Sequence, residues 1–119
     1  MKNLEIYEDF LFEKKNRNVI EDYVQGTYNK EKPGAGSNHL YIQKVSNNPN
    51  LCTLRNYNTD LLYQNLEGDF FYNQTKYSAT TSKIQTYIKI ELGDVDYIKT
   101  DEDGIKKAID ADIESEGKK

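Results

Sequence analysis

Residues 55–89 constrain the fold more than any other stretch, because strand, turn and helix signals follow one another closely there. Two apolar runs, at 61–63 and 70–72, flank the polar segment 64–69, which has Gly68 near its apex. This pattern is typical of a β-hairpin whose arms pair antiparallel. The chain is therefore expected to contain a sheet, and the remaining elements must pack against it.

The segment after the hairpin predicts a helix with marked ends. Ser82 and Gln85 have the spacing of a capping box, in which the serine oxygen accepts a free amide and the glutamine side chain reaches back, with Thr80 and Thr81 before it. The helix is expected to stop at Gly93, and its buried stripe is expected to be Ile84, Tyr87, Ile88 and Leu92. An alternative is a strand over 87–92, with one face formed by Ile88, Ile90 and Leu92.

The first half of the chain gives weaker signals. Residues 4–12 mix period-two alternation with apolar neighbours, and we interpret them as a strand. Residues 19–24 have helical spacing, with Asn16 or Asn18 as the N-cap and Gly26 as the stop, which predicts a short helix. Residues 27–38 lack periodicity and are predicted to form a mobile loop. Strands are predicted over 39–45 and 51–55, joined by an Asn-rich turn at 46–50.

The last part of the chain predicts one strand, over residues 95–99, and one helix. The helix is expected to start at a cap formed by Thr100 or Asp101 and to bury Ile105, Ala108, Ile109 and Ile113, and residues 114–119 are predicted to fray. With 119 residues, the chain is expected to form a single α+β domain over 1–119. Its predicted architecture is a small antiparallel sheet of about five or six strands packed by two or three short helices.

Charge and cysteine content limit the expected partners and location. The formal net charge is −4, and residues 101–119 hold seven acidic residues against four lysines. This balance argues against a broad electrostatic grip on nucleic acid. Cys52 is the single cysteine, so no intrachain disulfide can form, and the start lacks the apolar region of a secretion signal. The sequence therefore predicts a soluble cytoplasmic protein without a membrane partner, and leaves open whether it forms a dimer.

No pattern of catalytic or metal-binding residues stands out. His39 is the only histidine and Cys52 the only cysteine, which is too few for a typical zinc site or for a Cys/His nucleophile pair unless the two meet. Asp101 to Gly104 resembles the start of a calcium loop, but the later acidic ligands are out of place. The glycines at 34 and 36 lack the other residues of a phosphate-binding loop. The sequence therefore predicts no enzyme activity, no cofactor and no metal.

Three segments resemble those of small uncharacterised proteins encoded by viruses, plasmids and prophages of bacteria and archaea. They are Gly36-Ser37-Asn38-His39-Leu40, Tyr57-Asn58-Thr59, and residues 76–85, which read Lys-Tyr-Ser-Ala-Thr-Thr-Ser-Lys-Ile-Gln. In that group the third segment often has Val at the position of Ala79, and His is common at that of Ile84. The resemblance covers roughly residues 34–110. It implies an origin on a mobile element and a compact α+β domain, and it implies no activity.

One group of residues could bind an anion or a nucleic acid. Hydroxyl and basic side chains surround the predicted helix start, where free amides and the helix dipole favour negative charge. The candidates are Arg55, Lys76, Thr80, Thr81, Ser82, Lys83 and Lys89. The competing interpretation is that the hydroxyls cap the helix and that the charges form a solvated face.

A second group of residues is predicted to contact a protein partner. Ten tyrosines exceed what one thin core can hold, so some are expected at the surface, although composition bias would also explain their number. The candidate contacts are Tyr57, Asp101, Glu102, Asp103, Asp110 and Asp112. We therefore predict a non-enzymatic protein, similar in kind to anti-CRISPR proteins, that inhibits a host defence or regulatory factor inside the host cell. The alternative is a small DNA- or RNA-binding accessory protein.

Overall fold

The computed structural model describes residues 2–35, 39–48 and 50–117, with side chains from residue 14 to residue 116 of those ranges. Over these residues the elements are, in chain order, helix α1 (Lys2–Gln25), strands β1 (Leu40–Lys44), β2 (Cys52–Asn56), β3 (Thr59–Gln64) and β4 (Phe70–Asn73), helix α2 (Ala79–Leu92), strand β5 (Tyr97–Thr100) and helix α3 (Glu102–Gly117). The predicted α+β class is confirmed. None of these helices is both long enough and apolar enough to cross a membrane.

The strands form one sheet in the order β1-β2-β3-β4-β5. The first four strands are an antiparallel meander, and the predicted hairpin is confirmed by the pairing of Leu62 with Tyr72 and of Tyr63 with Phe71. The predicted antiparallel sheet of about five or six strands is confirmed as a five-stranded, mostly antiparallel one, with the exception of β5, which runs parallel to β4. The reason is that α2 carries the chain back across the sheet before β5 begins, as a crossover between parallel strands requires.

Helices cover both faces of the sheet. One face packs on α1 and α2, where Ile20, Leu54 and Ile88 belong to one buried cluster. The opposite face packs on α3, where Tyr63 is buried together with Ile105 and Ile109. Successive residues of a strand point to opposite faces, and helices cover both faces here. The middle of β3 is therefore buried throughout, and its sequence contains a continuous apolar run.

Two predictions about the segment that forms helix α1 are wrong. Residues 4–12 are helical and not a strand, and the short helix expected at 19–24 is the end of a 24-residue helix. Asn16 and Asn18 therefore lie inside the helix and cap nothing, and Asn16 is buried. No Pro or Gly interrupts residues 2–25, so the helix propagates through the ambiguous segment. The predicted stop at Gly26 is confirmed by its φ of 71°, which glycine adopts without strain.

Helix α2 begins earlier than predicted. Its N-cap is Ser78, whose Oγ accepts a hydrogen bond from Thr81 N at 3.4 Å, so the capping box expected at Ser82 is wrong. The stop at Gly93 is confirmed, since its N–H donates to Lys89 O and its φ is 52°. Of the expected stripe, Tyr87 is half-buried, and the buried members are Ile84, Ile88 and Leu92. The alternative strand is wrong, because Ile90 is 56% exposed while Ile88 is buried.

Helix α3 is capped by Asp101, whose Oδ1 accepts a hydrogen bond from Gly104 N at 2.8 Å. Of its expected stripe Ile105 and Ile109 are buried and Ala108 is half-buried, whereas Ile113 is exposed. The helix continues to Gly117, so 114–117 are helical where fraying was expected, and 118–119 lie outside the described residues.

In the predicted mobile loop, residues 27–34 are irregular and Ala35 forms a β-bridge with Tyr41, while residues 36–38 lie outside the described residues. Pro49, in the turn at 46–50, also lies outside them.

Candidate functional site

One end of the sheet gathers most of the candidate residues. Strands β2, β4 and β5 end there, at Asn56, Asn73 and Thr100, and helices α2 and α3 begin there. In α/β units the carboxyl ends of parallel strands and the adjoining helix N-termini are the usual place for a binding site. Tyr57 occupies the turn between β2 and β3 at this end, and we call the surface around it the Tyr57 edge.

A network of buried amides and hydroxyls joins the Tyr57 edge to α2. Thr81 Oγ1 donates to Asn56 Oδ1 at 2.7 Å, so the first turn of α2 is tied to the end of β2. Gln85 Nε2 donates to two carbonyls of the β4–α2 connection, Asn73 O at 2.8 Å and Thr75 O at 2.9 Å. Gln85 is thus committed to these carbonyls and does not reach back to Ser82. The network fixes how α2 leaves the sheet.

Asn73 links this network to β3 and to the surface. Its Nδ2 donates to Asp60 O at 2.9 Å and to Tyr77 OH at 3.0 Å, and its Oδ1 accepts from Thr75 N. The Tyr77 ring remains exposed. The side chain of Asn73 therefore holds an exposed tyrosine against a buried strand end.

On the α3 face of the same edge lies a buried carboxylate. Asp60 is 2% exposed, and its Oδ1 lies 2.8 Å from Arg55 Nε and accepts from Thr53 Oγ1 at 3.3 Å. Its N–H donates to Glu102 Oε2 at 3.1 Å, which ties β3 to the start of α3. Arg55 Nη2 also donates to Asn58 O. Arg55 is therefore committed to the fold, and an incoming anion would compete with Asp60 for it.

Burial raises the pKa of Asp60, an effect that the Arg55 guanidinium opposes. Because the pKa is higher in the folded than in the unfolded chain, the folded state binds more protons between the unfolded value, about 4, and the folded value. We therefore expect the free energy of unfolding of the native protein, relative to that of Asp60→Asn, to fall as the pH rises through this window. Urea unfolding between about pH 4 and 8 measures it.

The control for this experiment is Asp110→Asn, which also removes one negative charge but at an exposed position of α3. A difference between the native protein and Asp60→Asn that stays constant, or that grows in favour of the native protein with rising pH, would contradict the expectation. The comparison isolates one residue from the general titration of the other carboxylates.

Tyr57 and His39 form an exposed aromatic pair on the edge. Their rings stack at 4.5 Å between centroids, and Tyr57 is 52% exposed. Both residues have left-handed backbones, with φ of 58° and 61°, a conformation that costs about 1–2 kcal/mol for a side chain other than glycine. Tyr57 N donates to His39 O, and Tyr41 OH donates to Tyr57 O at 2.5 Å. Hydrogen bonds thus hold the exposed ring in a conformation that the chain would otherwise avoid.

The structure separates the predicted partner contacts into three places. Asp101, Glu102 and Asp103 lie with Tyr57 at the edge, because α3 begins there. Asp110 lies further along the exposed side of α3. Asp112 is turned to the β3–β4 hairpin, where its Oδ2 accepts from Tyr63 OH at 2.5 Å and from Leu66 N at 3.1 Å.

The predicted anion-binding residues do not converge on one point. The hydroxyl of Thr81 is bound to Asn56, and Thr80 and Ser82 are partly exposed in the first turn of α2. Lys76 is exposed before that helix, and Lys83 and Lys89 are exposed along it. Lys83 and Lys89 are separated by about 9 Å of helix rise. These side chains are distributed along α2 and the segment before it, and they do not form a pocket.

His39 and Cys52 do not meet. His39 precedes the residue that pairs with Asn56, at the end of β2, whereas Cys52 begins that strand and is buried. Burial also raises the pKa of the Cys52 thiol. Among the side chains that the structure describes, no three of the His, Cys, Asp and Glu type gather as they would around a metal ion.

Sequence reasoning missed the buried polar residues of the edge. Asn56, Asp60 and Asn73 read as turn or strand-end residues, and only the apolar runs that precede or follow them hinted that they would be enclosed. Comparisons of the chain with protein-family models, with curated protein sequences and with solved structures gave no match.

Proposed function

We propose that this protein is a non-enzymatic binding protein that engages a protein partner through the Tyr57 edge. The observation that supports the proposal best is the exposed Tyr57 ring, stacked on His39 and held on a hydrogen-bonded turn with a left-handed backbone. Backbone strain that the surroundings enforce is concentrated at functional sites. A rigid tyrosine is also a frequent anchor of protein interfaces, because it contributes a large contact area at low entropic cost.

The charges around Tyr57 suit a basic protein surface. Asp101 and Asp103 are exposed at the start of α3, and Glu102 between them binds Asp60 N at the same end of the sheet. Such a rim would occupy the place of a nucleic acid on a partner that binds one, and acidic rims speed association with basic partners. With the resemblance to proteins of mobile elements, the proposed partner is a host defence or regulatory factor, and the proposed place of action is the cytoplasm of the host.

The buried groups of the edge support a binding role over a chemical one. Asp60 has the shifted pKa that is often seen in catalytic acids, but it is enclosed and paired with Arg55 and Thr53. Gln85 and Asn73 are likewise engaged with carbonyls. These polar groups stabilise the edge and leave aromatic rings and carboxylates at its surface.

The test is affinity capture from a lysate of the host. Tyr57→Asn removes the ring but retains a residue that tolerates the left-handed conformation, so the fold should keep its melting temperature. We expect the native protein to recover a stoichiometric protein and Tyr57→Asn to lower its affinity at least 30-fold, the loss typical of an interface hot spot. The control is Ile90→Asn, which changes an exposed residue of α2 away from the edge.

Two results of the capture experiment would overturn the proposal. One is capture that Tyr57→Asn leaves unchanged, and the other is recovery of nuclease-sensitive material in place of a protein. In the second case binding should weaken steeply with salt and depend on Lys76 and Lys83, as the nucleic-acid alternative requires. A lower melting temperature of Tyr57→Asn would show that the ring serves stability instead.

A further inference from the structure

Helix α3 covers only part of its face of the sheet. It packs on β3 and β4, but on the next strand Ile98, which pairs with Phe71, is 46% exposed. The α3 side of the sheet is therefore only partly covered at β5.

Next to Ile98 lies a groove whose lining mixes apolar and polar residues. Its floor is Phe71, one wall is Ala108 and Ala111 of α3, and Leu66 of the hairpin closes one end, with the polar Asn65 and Ser115 also in the lining. Ile98 of β5 pairs with Phe71 and lies beside the cleft. The cleft measures about 380 Å³, and Leu66 is 41% exposed. We call it the α3–β5 groove. The opposite flank of α3 differs, since the residues of β1 and β2 on that side include the polar Gln43 and Arg55.

The groove has an acidic surround. Glu67 and Asp112 line it directly. Helix α3 as a whole holds six acidic residues and two lysines. Charge complementarity therefore favours an occupant that carries Lys or Arg beside its apolar residues.

We infer that the α3–β5 groove binds an amphipathic helix of a partner protein, with an apolar stripe on Phe71 and Ile98 and basic residues against Glu67 and Asp112. A helix placed in an apolar groove is an established mode of recognition, with anchors at every third or fourth residue. A strand added to the edge of β5 would instead use its main-chain groups and would leave Leu66 and Ala111 without contacts. The apolar residues that α3 and the hairpin contribute to the lining favour the helix.

The groove is a separate surface from the Tyr57 edge. Glu102, at the start of α3, binds Asp60 N at that edge, whereas Asp112 binds Leu66 N near the other end of the helix. Binding in the groove should therefore be unaffected by Tyr57→Asn. The two proposals can then fail independently of each other.

The test uses the ¹⁵N-labelled full chain and a synthetic helical peptide of leucine and lysine, with leucines at helical spacing. A peptide with glutamate in place of lysine is the matched control. We expect saturable shifts confined to the amides of the groove, at Leu66, Phe71, Ile98, Ala108 and Ala111. We also expect the lysine peptide to bind at least 10-fold more tightly than the glutamate peptide.

A variant separates groove binding from general attraction to acidic residues. Ala111→Phe should fill the groove and weaken the lysine peptide at least 10-fold, whereas Ile113→Phe, on the other flank of the same helix, should not. Amide spectra that superimpose away from the groove would show that both variants are folded.

Four outcomes would overturn the inference. Shifts spread over the acidic exterior of α3, equal binding of the two peptides, or full binding to Ala111→Phe would each exclude the groove as the helix site. Concentration-dependent shifts of the groove amides without peptide would assign the surface to a second copy of the chain.

Discussion

Replacing Ile88 by alanine should lower the free energy of unfolding by about 3 kcal/mol, within the usual range of about 2–5 kcal/mol for a large-to-small change in a core. Ile88 is fully buried on the side of α2 that faces the sheet, in the cluster that includes Leu54 and Leu62. The loss combines the transfer of the removed carbon atoms with the cavity left behind. At roughly 4 °C per kcal/mol for a domain of this size, the melting temperature should fall by about 12 °C.

Ile90→Ala is the matched control, because it makes the same change two residues later on the same helix. Ile90 is exposed, so its replacement should alter stability by less than about 0.5 kcal/mol. Urea and thermal unfolding of both variants measure the contrast. Equal losses would mean that residues 88 and 90 share a face, which would favour a strand in place of α2.

The second large effect is expected at Gln85. Gln85→Leu keeps the size of the side chain but removes the amide that donates to Asn73 O and Thr75 O. A buried carbonyl left without a donor costs about 1–3 kcal/mol, and Asn73 is fully buried. We expect a loss of about 2 kcal/mol after the apolar gain of leucine, measured by urea unfolding.

The control for Gln85→Leu is Gln74→Leu, which makes the same substitution at a neighbouring exposed position. Its stability should remain within about 0.5 kcal/mol of the native value. If Gln85→Leu were equally silent, the hydrogen bonds to the β4–α2 connection would contribute nothing. That result would contradict the role that we assign to Gln85 in holding the Tyr57 edge.

Local signals predicted the elements whose ends depend on nearby residues. The hairpin followed from two apolar runs around Gly68, and the ends of α1 and α2 followed from Gly26 and Gly93, both of which have positive φ. Glycine is the residue that such conformations favour, so each end could be read from one position. The choice between Thr100 and Asp101 as cap also needed only local geometry, and the structure decides it for Asp101.

Non-local features could not be read in the same way. Residues 4–12 satisfy strand and helix periods equally poorly, and they are helical because α1 continues through them without a Pro or Gly. The parallel pairing of β5 with β4 depends on the path of α2 across the sheet, which no residue of β5 encodes. Ser78 rather than Ser82 caps α2 because the network around Asn73 and Gln85 holds the preceding segment.

The candidate site was predicted in part. Exposure of Tyr57 and the acidic residues at the start of α3 were expected, and the structure places them on one edge. The left-handed backbone of Tyr57 could not be foreseen, because turn chemistry favours Gly, Asn or Asp there. The hydrogen bond between Asp60 and Glu102 joins residues 42 positions apart, and local sequence patterns do not predict contacts over such a separation.

The polar network has a consequence for any chain that carries the same residues at 57–59 and 76–85. Asn56, Ser78, Thr81 and Gln85 lie within or beside those segments, and their side chains bind other parts of the same chain. These residues hold a joint between strand and helix and place no requirement on the outward-facing residues. Two chains with the same motif could then share this joint and still act on unrelated targets.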